Sequence, residues 1–175
     1  MPPQLTDPDI RYRDSFVAAL REGLHLDPLP EEDVLLAARD FDGWLAQRND
    51  LTRLVVLPSG QRVQKLPQRD FWLVEGENFL GVISLRPQLN EHLLKRGGNI
   101  GYAVRKSERR KGYGRLMLGL MLAHARTEGM EKVLITCHDE NRGSIRIIEG
   151  AGGVLQDKVE IEGLPLAERR YWIAL

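Results

Sequence analysis

The sequence predicts one α/β domain: a mixed, mostly antiparallel sheet of six to seven strands with helices on both faces. Three stretches carry that prediction. In Asn99–Val104, Ile100, Tyr102 and Val104 alternate with smaller residues, as a strand packed on one face does. This strand leads through a basic, glycine-bearing turn into an apolar helix that begins near Gly114. Lys132–Cys137 runs apolar like a buried parallel strand, so strand, helix and strand form a right-handed crossover unit. Phe71–Glu75 and Phe79–Leu85, joined by Gly76-Glu77-Asn78, read as a β-hairpin.

Composition narrows the class. A chain of 175 residues fits a single domain, residues 1–175, with a sizeable core. Its 29% charged and 42% hydrophobic residues are an ordinary globular mixture, which argues against disorder. The longest apolar runs fall far short of a membrane span, and Met1-Pro2-Pro3-Gln4 lacks the pattern of an export signal. Cys137 is the only cysteine, which excludes an intramolecular disulfide and a cysteine metal cluster. His25, His92, His124 and His138 show no metal-ligand spacing. The expectation is a cytoplasmic protein with no metal and no membrane partner.

Taken in order, Met1–Ile10 is a tail or an irregular first strand. Asp14 is placed to cap a helix through Phe16, Val17, Leu20 and Leu24, with Gly23 near its end. Pro28-Leu29-Pro30 breaks the chain, and Glu31-Glu32-Asp33 opens a second helix whose Val34, Ala38, Phe41 and Leu45 recur at helical spacing. Leu54–Gly60 fits either a strand and turn or part of a long loop. After the hairpin, Asn90 caps one helical turn, and Gly97-Gly98 lets the chain swing into the strand that begins at Asn99. The helix after the basic turn carries a stripe of Leu116, Leu120 and Ala123 with Met117 and Met121, ending at Gly129. Ser144–Glu149 is a short helix closed by glycines. Val154–Ile161 and Arg169–Ala174 form a final antiparallel pair.

The chemistry concentrates between Arg105 and Arg115. Six basic residues (Arg105, Lys106, Arg109, Arg110, Lys111, Arg115) stand there against one acid, Glu108, in a chain of zero formal net charge. Gly112 and Gly114 strip side chains from the turn, where the first N–H groups of the helix lack intrahelical partners and the helix dipole is positive. A phosphate-bearing ligand is expected. Three other readings compete. A solvated charged face is the commonest fate of a charge run. A nucleic-acid patch is disfavoured by a near-neutral pI and no interleaved aromatics. A Walker loop would need Gly-Lys-Ser/Thr after the glycines.

Arg109-x-x-Gly112-x-Gly114, set between a strand and an apolar helix and followed by a strand and by Asn141-x-x-Ser144, resembles the cofactor-binding half of the GNAT N-acetyltransferases. Gly98–Tyr102, Ser107–Tyr113 and Arg170–Ile173 further resemble a bacterial subgroup of predicted acetyltransferases. The likeness implies that residues 1–98 form the acceptor side and residues 99–175 the acetyl-CoA side. It implies two splayed central parallel strands, ending at Val104 and Cys137, with acetyl-CoA between them. Tyr102 and Val104 would pair with pantetheine, and the amides of Arg110, Gly112, Gly114 and Arg115 would hold the pyrophosphate with Lys111. The side chains of Arg109 and Arg110 would neutralise phosphates, and Asn141 and Ser144 would line the same site, unless these two only cap a helix.

The implied activity is direct acetyl transfer from acetyl-CoA to a primary amine, a small molecule or a peptide, in a ternary complex. The partners expected are acetyl-CoA and that amine, with no nucleic acid, in a monomer or homodimer. Many family members carry a tyrosine acid seven residues after the asparagine, where this chain has Ile148. Tyr102 and Tyr171 are the candidate replacements. Glu75, Glu91, His92 and His138 are candidate bases by chemistry, with His138 the best placed. Ile148 also supports an alternative, a non-catalytic acyl-CoA sensor.

Overall fold

The structure is a computed structural model and describes residues 2–24 and 31–175. His25 and the Pro28-Leu29-Pro30 break lie outside the described residues. The chain forms two compact units from interleaved segments. The first comprises Met1–Asp50, Asp70–Ile83 and Tyr102–Met117; the second comprises Leu51–Arg69, Ser84–Gly101 and Leu118–Leu175.

A four-stranded sheet in the order β1-β4-β5-β6 supplies the strands of the first unit. β1 (Gln4–Thr6) makes the N-terminal segment a true strand, antiparallel to β4 (Arg69–Glu75), with Leu5 opposite Leu73. β4 turns into β5 (Asn78–Leu85) through Gly76-Glu77, with Gly76 at φ +59°, a left-handed value that a tight hairpin requires and glycine adopts freely. β6 (Ile100–Val104) runs antiparallel to β5: Arg105 N–H donates to Leu80 O at 2.9 Å, and Arg86 N–H donates to Asn99 O at 2.8 Å.

Three helices pack in this unit: α1 (Arg13–Arg21), α2 (Glu31–Arg39) and α3 (Phe41–Asn49). The cap expected at Asp14 falls elsewhere. Asp9 caps a 3-10 turn at Ile10–Tyr12 that runs directly into α1, which leaves Asp14 in the first turn of the helix. The single helix expected beyond Glu31 is two helices. Asp40 takes an extended φ of −144°, and its carboxylate accepts the Gly43 N–H at 2.9 Å, so the side chain starts a new helix where apolar spacing alone runs on. The core is aromatic. Phe16 stacks on Trp72 with centroids 4.4 Å apart and touches Trp44 and Phe79 at 5.0 and 5.1 Å.

In the second unit, β2 (Leu54–Val56) and β3 (Arg62–Gln64) form a small antiparallel hairpin, which resolves that segment as strand and turn. Asn90 caps α4 (Glu91–Lys95) by accepting the Leu93 N–H at 2.9 Å. α5 (Tyr113–Thr127) is helical as expected, and it buries the methionine side of the expected stripe. Met117, Leu118, Met121 and Ala125 are fully buried, while Leu116 and Leu120 are 37% and 38% exposed. Both stripes are apolar, so periodicity alone did not choose between them.

β7 (Lys132–His138), β8 (Val154–Val159) and β9 (Glu168–Ala174) form a three-stranded sheet with β9 in the middle. The β7–β9 ladder is antiparallel, with Leu134 opposite Trp172. α6 (Arg142–Gly150) follows β7. Gly98 and Asn99 reach β7 by another route. Asn99 N–H donates to Leu134 O at 2.7 Å, and Leu134 N–H donates back to Asn99 Oδ1 at 2.8 Å. Gly98, at φ +62°, lies so close that a Cβ would sit 2.3 Å from Leu134 O.

Candidate functional site

The basic segment forms one continuous loop in the first unit. β6 ends at Val104, a 3-10 turn covers Lys106–Glu108, Arg109 is extended, and α5 begins at Tyr113. Two residues between Arg109 and the helix are left-handed, Arg110 at φ +67° and Gly112 at φ +91°. A left-handed arginine is unusual, costing about 1 kcal/mol or more unless its surroundings impose it. The first helical N–H to reach a carbonyl behind it is that of Leu116, which donates to Gly112 O at 3.1 Å. The N–H groups of Tyr113, Gly114 and Arg115 therefore begin the helix without intrahelical acceptors. Among the described residues, none accepts from the N–H groups of Arg110, Lys111 or Gly112 either. Consecutive N–H groups without acceptors at a helix start, with alternating backbone hand, are a setting that favours an anion.

The basic side chains divide into two sets. Arg105 is engaged within the fold: its Nε and Nη2 donate to Glu22 Oε1 at 2.8 and 2.6 Å, and Nη1 donates to Ser15 Oγ at 3.1 Å. This guanidinium holds the Glu22 carboxyl down at about pKa 2. Lys111 Nζ lies 2.8 Å from Glu108 Oε2, a bond that raises the lysine pKa. Arg109 Nε donates to Val104 O at 3.3 Å. The side chains of Arg110 and Arg115 are exposed at the mouth of the loop. Tyr102 and Val104 are both half-buried on β6.

Asn141, Ser144, Ile148, Tyr171, Cys137 and His138 belong to the second unit. Asn141 is the N-cap of α6, its Oδ1 accepting the Ser144 N–H at 3.0 Å. Ile148 is fully buried, with Gly153 packed so closely that a Cβ there would lie 2.6 Å from Ile148 Cγ2. The residue at the acid position is thus a core residue. Tyr171 is fully buried, donating its hydroxyl to Glu149 Oε1 at 3.0 Å and accepting from Arg169 at 3.3 Å. Burial raises its pKa, and these bonds give it a packing role. Cys137 is buried as well, and desolvation pushes its thiol up to about pKa 12.

His138 closes β7 with its ring part-exposed. Its Nδ1 lies 2.9 Å from Glu168 Oε1. Glu168 is almost fully buried, sits directly opposite His138 across the ladder, and also takes the Arg96 guanidinium, through Nε at 3.3 Å. A carboxylate on one imidazole nitrogen fixes the ring and leaves the other nitrogen available to accept a proton. Sequence reasoning missed Glu22, Ser15 and Glu168. The first two lie more than eighty residues from Arg105 in sequence, with no local signal. Glu168 stands three and five residues before Tyr171 and Ile173, out of phase with that buried face, so strand alternation does not mark it.

A family model for the acetyltransferase (GNAT) domain matches residues 25–154. No curated protein matches. Solved structures do. The microcin self-immunity acetyltransferase MccE, in complex with acetyl-CoA and AMP, is 14% identical with a TM-score of 0.67, covering 99% of this chain and 92% of its own. The Salmonella typhimurium acetyltransferase that modifies the N-terminal serine of a 50S ribosomal subunit protein is 13% identical with a TM-score of 0.64, covering 99% and 95%. The spermidine/spermine N-acetyltransferase SpeG from Vibrio cholerae is 14% identical with a TM-score of 0.61, covering 99% and 95%. At this identity the likeness is one of fold, and it agrees with the matched family. On the strength of that match, the chain belongs to the GNAT acetyltransferase domain family.

Proposed function

We propose that this protein transfers an acetyl group from acetyl-CoA to a primary amine, directly and without a covalent enzyme intermediate. The observation that carries the reading is the turn before α5, left-handed at Arg110 and Gly112, in which the N–H groups of Arg110, Lys111 and Gly112 have no backbone acceptor among the described residues. The amides of Arg110, Gly112, Gly114 and Arg115 hold the pyrophosphate, and the side chains of Arg109, Arg110 and Lys111 neutralise it. Lys111 gives up Glu108 to do so, exchanging one anion for another. Tyr102 and Val104 supply backbone pairing for the pantetheine arm and an N–H to polarise the thioester carbonyl. Asn141 and Ser144 are further cofactor contacts.

The amine nitrogen attacks the thioester carbon once its proton has gone to a base, and the intermediate expels the CoA thiolate. His138, oriented by Glu168, is the proposed base. Tyr102 is the proposed acid for the thiolate; Tyr171, engaged by Glu149, is given no catalytic part. The ribosomal-protein and polyamine acceptors named for structures of similar fold are both amines, which supports that acceptor class.

Buried Ile148 favours a second reading, an acyl-CoA sensor that binds without transfer. The test is thiol release from acetyl-CoA across polyamines, amino acids, aminoglycosides and short peptides, with Gly112→Trp as the blank. Release that vanishes in the variant supports transfer. Acetyl-CoA binding with no release on any amine supports the sensor.

A further inference from the structure

We propose that Glu22 is a positioning residue for the phosphate loop, a latch on α1 that sets the direction of the loop's N–H groups. The proposal rests on the acetyl-CoA reading of that loop. One carboxylate spans the 3-10 turn that leads out of β6. Glu22 Oε1 takes the Arg105 guanidinium at 2.6 and 2.8 Å, and Oε2 takes the Ser107 N–H at 3.1 Å. Inside the turn, Glu108 N–H donates to Arg105 O at 2.9 Å, and Arg109 N–H donates to Lys106 O at 3.4 Å. Arg110 follows at once in its left-handed conformation.

Ser15 completes the latch. Its Oγ accepts the Phe79 N–H at 2.9 Å and an Arg105 N–H at 3.1 Å. Ser15 and Glu22 stand seven residues apart on α1, two turns, and so share a face. α1 thereby fixes Arg105 at two points, while the Arg105 backbone is fixed a third time by Leu80.

The position of Glu22 is electrostatically costly in itself. It is the C-cap of α1, where the helix dipole disfavours an anion, yet its pKa is held at about 2. The pairing with Arg105 outweighs the dipole. Arg105 is therefore spent on shape, and a left-handed arginine persists where the surrounding bonds over-determine the path. Losing the latch lets Arg110 relax, turning N–H groups away from the pyrophosphate while leaving the strand that meets the pantetheine arm in place.

The experiment compares wild type, Glu22→Gln and Glu22→Asp. Affinity is measured by calorimetry for acetyl-CoA and by NMR titration for S-acetylpantetheine, which keeps the thioester arm and lacks the nucleotide phosphates. Amide hydrogen exchange is followed over residues 106–115. Glu22→Gln is expected to bind acetyl-CoA about tenfold more weakly and S-acetylpantetheine unchanged, with faster exchange in the loop. Glu22→Asp should recover part of the loss. Acetyl-CoA affinity within twofold of wild type, or equal loss for both ligands, overturns the proposal. If wild type binds no acetyl-CoA, the functional reading falls, and hydrogen exchange still decides the latch: faster exchange in Glu22→Gln upholds it and unchanged exchange overturns it.

Discussion

Gly98 is where one methyl group should do the most damage to the second unit. The residue is at φ +62°, and a Cβ built on it lies 2.3 Å from Leu134 O, 2.9 Å from Leu134 C and 3.3 Å from Ile135 Cα. Every neighbour is backbone, so no side chain can swing aside. Relieving the contact to an ordinary distance needs a shift of roughly 1 Å. That shift acts on Asn99, whose bonds to Leu134 at 2.7 and 2.8 Å are buried and would stretch past useful range. A left-handed alanine costs about 1 kcal/mol, and two weakened buried hydrogen bonds cost about 1–2 kcal/mol each. Gly98→Ala should therefore lose about 4 kcal/mol. At about 2–4 °C per kcal/mol for a chain of this size, that is a drop in Tm of about 10 °C.

Gly76→Ala is the control. Its φ is +59°, nearly the same, but among the described residues nothing lies within 4 Å of the added Cβ. Only the backbone cost remains, about 1 kcal/mol and about 3 °C. Thermal and urea unfolding of both variants separates the two contributions. Equal losses in the two variants would refute the close approach at Leu134 and reduce Gly98 to an ordinary left-handed glycine.

Three further outcomes follow from buried or paired ionisable groups. Glu22 has a folded pKa of about 2 against 4.5 unperturbed. Its stabilisation, about 2–3 kcal/mol given partial exposure, is complete above about pH 4.5 and lost as pH falls towards 2. Urea stabilities of wild type and Glu22→Gln should converge over that window, and a constant gap would contradict the pairing. Glu168→Gln removes the buried charge facing Arg96 and His138. It should cost about 2 kcal/mol, read as a Tm drop of about 5 °C; an unchanged Tm would refute the arrangement. Cys137, with its thiol at about pKa 12, should resist iodoacetamide at pH 8 when native and react promptly in urea. Rapid native alkylation would place the thiol at the surface.

Local chemistry made much of this molecule legible. The β4–β5 hairpin was marked by Gly76-Glu77 between apolar runs, and α4 by Asn90. The loop before α5 was marked by two glycines among basic residues, of which Gly112 takes one of its two left-handed positions. Where side chains compete with periodicity, the pattern misled. Asp40 split one expected helix by capping, and the exposed Leu116 stripe of α5 is as apolar as the buried Met117 stripe. Long-range pairs left no trace: Glu22 meets Arg105 across 83 residues, and nothing near either announces the other. Asn141 shows a subtler limit. Its spacing suits both a cap and a cofactor contact, and in this structure its Oδ1 caps α6.

The loop before α5, left-handed at Arg110 and Gly112, is proposed to bind the pyrophosphate of acetyl-CoA. Isothermal calorimetry of acetyl-CoA against wild type and Gly112→Trp tests it most directly. Gly112 is exposed, with nothing among the described residues within 4 Å of a Cβ added to it, so the indole would fill the proposed anion site and leave the core untouched. The account predicts saturable binding by wild type and none by a variant that still unfolds cooperatively. Acetyl-CoA binding of equal strength in both would contradict it and place the acetyl donor elsewhere on the protein.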